Sequence, residues 1–171
     1  MEKIFLLCSF IFILVISRII PHPPNFTPII AAAIFGPIFF KDRILGLAIP
    51  IIGMFISDLI IGFHAYQIVI YLTLISISLL IPKIIKLVPL SFYALFSCLW
   101  FFLTTNLAVW LVWEYYPKTF DGLISCFVLA IPFFKNTLIS TIIFTITFYY
   151  LNKIYEKSTF RVYLSKAKLL R

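Results

Sequence analysis

Arg43-Ile-Leu-Gly-Leu-Ala-Ile-Pro-Ile-Ile-Gly-Met-Phe-Ile-Ser-Asp-Leu-Ile-Ile-Gly-Phe-His64 is apolar from Ile44 to Gly62 except for Ser57 and Asp58. A run of that length and hydropathy reads as a membrane-spanning helix, because a helix pairs every backbone N–H and C=O within its own segment. Placing a carboxylate inside such a helix costs about 2.5–3.5 kcal/mol, so Asp58 must face a cavity or a partner.

The same character extends along the chain. Of the 171 residues, 63% are hydrophobic and 19% aromatic, and the mean hydropathy of +1.13 lies outside the soluble range. The period-2 alternation of a membrane barrel is absent, which leaves helices. Charge and proline clusters divide the text into spans near 4–20, 26–40, 44–62, 65–81, 89–113 and 134–153. The predicted fold is therefore all-α, a polytopic membrane bundle of about six transmembrane helices. The apolar stretch Phe120–Phe134, cut off by Pro132 and Lys135, is expected as an additional partial or re-entrant segment. The second span is too short to cross a hydrocarbon core of about 30 Å and must be shielded by neighbours or irregular. Pro28, Pro37 and Pro50 point the same way, since each removes a backbone donor.

The first apolar run follows Lys3 as a signal peptide would. No A-x-A-like site follows it, so it is read as a retained span. Residues 1–152 form the expected bundle and 153–171 a basic cytoplasmic tail, an amphipathic or flexible anchor for lipid.

The net charge of +8 does not indicate nucleic acid, because the cations sit in short loops and in a terminal cluster of Lys153, Lys157, Arg161, Lys166, Lys168 and Arg171. Counted by alternate loops, Lys3, Lys41, Arg43, Lys83, Lys86 and the tail fall on one side. Arg18, Lys118 and Lys135 fall on the other. This asymmetry predicts six crossings of a bacterial cytoplasmic membrane with both termini inside. Trp110, Trp113, Tyr115 and Tyr116 would form the outer aromatic belt, and Tyr149, Tyr150 and Tyr155 the inner one.

Polar groups then define a candidate site. Asp58 and His64 end the third span, Asn106 lies about two turns from the end of the fifth, Lys135 and Asn136 open the sixth, and His22 and Asn25 occupy the first outer loop. All fall at one depth, so an outward-facing cavity roofed by Trp110 would give each a partner. The alternative is structural: an Asp58–Lys135 ion pair, with the remaining groups reaching toward headgroups. His22, His64 and Asp58 could also hold a divalent ion, but their spacing fits no strong metal signature and no metal site is assigned. Cys8, Cys98 and Cys126 read as buried small hydrophobes. Asn25-Phe26-Thr27 matches a glycosylation pattern by accident of position. Ala32 and Gly36 have small-xxx-small spacing, which serves packing within the bundle or docking of a partner helix.

No G-x-S-x-G, H-E-x-x-H or phosphate-cradling glycine loop is present, so an enzyme is not expected and no cofactor is implied. Any ATP-driven step would need another subunit.

Four pieces resemble a family of small bacterial membrane proteins of uncharacterised function. They are Arg18-Ile-Ile-Pro-His-Pro-Pro-Asn-Phe-Thr-Pro28, Ser57–His64, Thr105–Trp110 with Tyr116–Thr119, and Ala130–Thr137. That family is similar in turn to the substrate-binding S components of energy-coupling-factor transporters. The resemblance implies a six-helix binder of a vitamin or metal ion, open to the outside and associated with a T subunit and two ATPases. S components carry an AxxxA motif on the first helix, whereas the small residues here lie in the second span. The expected function is thus a transport protein that binds a small solute, with a structural or scaffold membrane subunit as the alternative. A proton-coupled carrier through Asp58 would need further acids along an inner relay, and these are lacking.

Overall fold

Asp42 starts the decisive helix: its Oδ1 accepts hydrogen bonds from the amides of Ile44 (2.9 Å) and Leu45 (3.2 Å), which satisfies two of the donors left free at a helix start. Gly62 ends it at φ +110°, a conformation that side chains resist, and donates its amide to the Asp58 carbonyl. In the computed structural model, which describes residues 2–84 and 89–169, this is the third of six helices. They are α1 (Glu2–Ile19), α2 (Ile29–Phe40), α3 (Arg43–Ile61), α4 (Gln67–Ile84), α5 (Leu90–Val112) and α6 (Phe120–Leu169). Lys86 and Arg171, counted above for orientation, lie outside the described residues, and the side chains of Lys3, Lys83, Arg161, Lys166 and Lys168 are likewise not described.

Arg43–Ile61, Leu90–Val112 and Phe120–Lys157 are long and apolar enough to cross a membrane, while Ile4–Ile19, Ile29–Phe40 and Gln67–Leu80 are shorter apolar helices. The bundle has an apolar core studded with buried hydroxyl groups, and an exterior that is greasy. On α3 the buried stripe is Gly46, Ile49, Pro50, Gly53, Met54, Ser57 and Asp58, at the spacing of one helix face. Phe55, Leu59 and Ile60 face outward. On α6 most inward positions are small or hydroxylated, with Cys126, Ala130, Thr137, Ser140, Thr141 and Thr145 buried, while Phe148 joins the apolar core. Small residues bring backbones close, and outward Leu, Ile and Phe suit a hydrocarbon solvent rather than water.

Helix α2 is the hub. It packs on α3, α4, α5 and α6, and Ile29 to Pro37 are all buried. The expected shielding of the short second span is therefore present, with its start moved from residue 26 to Ile29 because Pro28 precedes the helix. Gly36 meets Gly46 of α3 so closely that a Cβ on Gly36 would lie 2.3 Å from the Gly46 carbonyl oxygen. Ala32 and Gly36 thus serve packing inside the bundle. Interhelix hydrogen bonds add register: Ser78 donates to the Ala33 carbonyl (2.9 Å), Tyr93 to that of Ile77 (2.5 Å), and Trp100 Nε1 to Ser76 Oγ (2.9 Å).

The expectation of a separate partial segment at Phe120–Phe134 is corrected. That stretch and the sixth span form one helix, with Pro132 inside it. A proline removes one backbone bond and usually kinks or ends a helix. Here α5 splints the site, because Phe127 and Phe134, on either side of Pro132, both pack on Phe102 with ring centroids 5.5 Å and 4.8 Å away. Lys135 keeps an exposed side chain and so does not force a break. The α6 backbone remains helical through the basic tail as far as Leu169.

The connections α1–α2, α3–α4 and α5–α6 meet at one end, where Tyr66 packs edge-on against Trp113 and Asn136 donates to the Pro24 carbonyl (3.0 Å). At the opposite end the α2–α3 turn meets the lower part of α6 through Lys41–Glu156 (3.5 Å) and Phe39–Tyr155.

Candidate functional site

Asp58 is fully buried, and its partner is Arg18 at the end of α1. Arg18 Nη1 lies 2.7 Å from Asp58 Oδ1, and the same nitrogen donates to Ser57 Oγ (2.6 Å) and the Met54 carbonyl (3.3 Å). Asp58 Oδ1 is left to the guanidinium alone, whereas Oδ2 accepts from Gln67 Nε2 and from the Tyr71 hydroxyl (2.9 Å). Gln67 and Tyr71 are one turn apart on α4, and Gln67 Oε1 accepts the His64 amide (3.1 Å), tying the α3–α4 loop to the network. Charge-assisted bonds of this kind are the strong ones, and they join α1, α3 and α4.

The Asp58–Lys135 pairing considered from sequence does not form, because Lys135 is an exposed side chain on α6 and the carboxylate is taken by Arg18. The metal alternative fails as well. His22 Nδ1 lies 2.7 Å from the Ile20 carbonyl, His64 is exposed and stacked on Tyr66, and no group of three or more His, Cys, Asp or Glu side chains gathers among the described residues.

A separate cavity of about 310 Å³ opens at the same end, between α4, α5 and α6. Its origin is the brevity of α2. Twelve residues reach about 18 Å, whereas α5 with 23 reaches about 34 Å, so the upper part of the interface has no central helix to fill it. Pro24 and Asn25 of the loop before α2 line it, and Asn25 holds the left-handed φ of 61° that asparagine tolerates. Six aromatic rings, those of Tyr66, Phe101, Phe102, Tyr116, Phe133 and Phe134, make most of the wall. Asn106 and Thr105 of α5 and Thr137 of α6 supply polar points, and no Asp, Glu, His, Lys or Arg side chain lines it. Asn106 Nδ2 is bonded to the Phe102 carbonyl (2.7 Å), which fixes the carboxamide against the wall.

Of the eight candidate ligand residues, the structure therefore brings Asn25 and Asn106 together. Asn136 sits behind the cavity and anchors its loop through Pro24. Trp110 closes the α5–α6 turn, its Nε1 donating to the Pro117 carbonyl (3.0 Å) while Lys118 lies over its ring and bonds its carbonyl. Asp58, His64, His22 and Lys135 do not line the cavity. The residues that sequence reasoning missed are Arg18, Ser57, Gln67 and Tyr71. The available signal was the i, i+4 pair Gln67/Tyr71 opposite an acid inside apolar text. The start of α4 serves both features: Gln67 and Tyr71 hold Asp58, while Ile70, with Tyr66 just ahead of the helix, walls the cavity.

The described residues thus define a class: an all-helical bundle with a lipid-suited exterior, an internal ion-pair network and an aromatic cavity. Residues 1–163 match the model of a family of unknown function, DUF6580, and the chain belongs to that family. No curated protein and no solved structure matches it.

Proposed function

We propose that this protein is a multi-pass protein of the bacterial cytoplasmic membrane that binds a small organic solute in the α4–α5–α6 cavity as part of a transport system, in the manner of an S component. The observation that carries the reading is the cavity itself, which unites two asparagines from distant parts of the sequence with six aromatic walls. Its volume lies near the lower end of small-molecule sites, and a mostly apolar lining with a few fixed polar groups is what such sites offer. The neutral lining favours an organic solute over a metal ion. The excess of cations at the end opposite the cavity supports six crossings with both termini cytoplasmic and the cavity facing outward. In this reading the protein is a binder rather than an enzyme. Energy would come from a partner T subunit and ATPases, and nucleic acid has no part.

The test is thermal unfolding of the purified, detergent-solubilised protein against a panel of vitamins and other small organic solutes. At 100 times its dissociation constant a bound solute adds about 2.7 kcal/mol of stability. Asn25→Gly, which keeps the left-handed backbone, and Asn106→Ala should each reduce that gain while leaving the ligand-free melting temperature near the parent value. If no solute in the panel stabilises the protein, or if both variants respond like the parent, the solute-binding reading is wrong and the scaffold reading takes its place.

A further inference from the structure

A second hollow, of about 720 Å³, lies at the opposite end of the molecule, where α5 and α6 diverge. We propose that it is a binding groove for one anionic phospholipid of the leaflet at that end. Leu95 of α5 and Leu138 and Ile142 of α6 line its part nearer the middle of the helices, while nearer the terminus Ser91, Thr145 and Tyr150 add polar groups among Leu90 and Ile146. An acyl chain requires the first region, and the glycerol esters and phosphate require the second.

Two further observations favour such an occupant. Thr145 is nine-tenths buried, lines the groove, and its enclosed hydroxyl has no hydrogen-bond partner, so a side-chain rotation toward a ligand acceptor would satisfy a group that is costly to leave unpaired. Two turns further on, Lys153 folds back over the Tyr149 ring with Nζ 4.7 Å from its centroid. Tyr149 stands one helical turn, about 6 Å, beyond Thr145 and lines the groove, so the folded-back lysine brings a cation to its terminal side. Lys157 follows on the same helix, and neither lysine pairs with a carboxylate among the described residues. Glu156, beside them in sequence, is held by Lys41. The mouth is therefore cationic, which selects an anionic headgroup over a zwitterionic one.

The experiment is native mass spectrometry of the full chain in mild detergent, with phosphatidylglycerol and phosphatidylcholine of matched acyl chains added in equal amounts. One retained lipid is expected, with phosphatidylglycerol preferred. Lys153→Gln or Lys157→Gln should each cut its retention roughly fivefold. Ile142→Trp and Leu95→Trp, at half-exposed groove positions, should displace the lipid with little change in melting temperature. Equal retention of the two lipids, or undiminished retention by both tryptophan variants, overturns the proposal. A dimer cross-linked through cysteines placed at residues 95 and 142 also overturns it, and assigns the groove to a second helix.

Discussion

Replacing Arg18 by methionine keeps most of the aliphatic volume and removes the one group that meets Asp58 Oδ1. The carboxylate is fully buried, so it would keep Gln67 and Tyr71 on Oδ2 but hold an uncompensated charge. Breaking a buried pair from one side costs about 3–5 kcal/mol, because desolvation of the remaining ion is no longer offset. The Arg18 side chain keeps 13% of its exposure, which admits some screening and places the expected loss near the lower end, about 3 kcal/mol. The second half of the prediction concerns the double variant. Arg18→Met with Asp58→Asn leaves a neutral amide that Tyr71 can still serve as a donor, so the pair of changes should cost less than Arg18→Met alone. The assay is reversible unfolding in mixed micelles, read as a double-mutant cycle, with a coupling of at least about 1 kcal/mol expected between the two positions. If Arg18→Met costs under 1 kcal/mol, or the two losses simply add, the ion pair does not hold α1 to α3 and the reasoning fails.

Two further outcomes follow from the packing. Gly36→Ala places a methyl group 2.3 Å from the Gly46 carbonyl oxygen, so α2 and α3 must separate; a loss of about 1–3 kcal/mol is expected in the same unfolding assay, and an unchanged midpoint would contradict the contact. Asn136→Ala removes the 3.0 Å bond to the Pro24 carbonyl and should accelerate hydrogen exchange at Phe26 and Thr27 while leaving exchange in the middle of α3 unaltered. Exchange at the loop that stays at the parent rate would show that Asn136 does not anchor it.

Much of the architecture was legible in the apolar text. The runs read as the first, third, fourth and fifth spans coincide with α1, α3, α4 and α5 to within a few residues, because helix ends fall at charges, prolines and Gly62. The sixth did not, because a proline and a lysine together imitate a boundary. The packing of Phe127 and Phe134 on Phe102, a tertiary fact, braces the helix on both sides of the proline. In the site, Asn25 and Asn106 were legible as amides at one depth. Asp58 was legible as a residue needing a partner, but that partner was not, since Arg18 reads equally well as a loop cation that sets orientation. Depth can be counted along a sequence, whereas azimuth around the bundle cannot, and azimuth separates the Asp58 network from the cavity.

Helix α2 has a consequence for biogenesis. It is too short to sit stably across a bilayer alone, and apart from α1, which reaches it through Phe10, the helices that enclose it are made after it. The nascent chain must therefore hold Ile29–Phe40 in a provisional environment until α6 leaves the ribosome. Chains truncated before Phe120 should be cleared by membrane quality control even though five of the six helices have been synthesised.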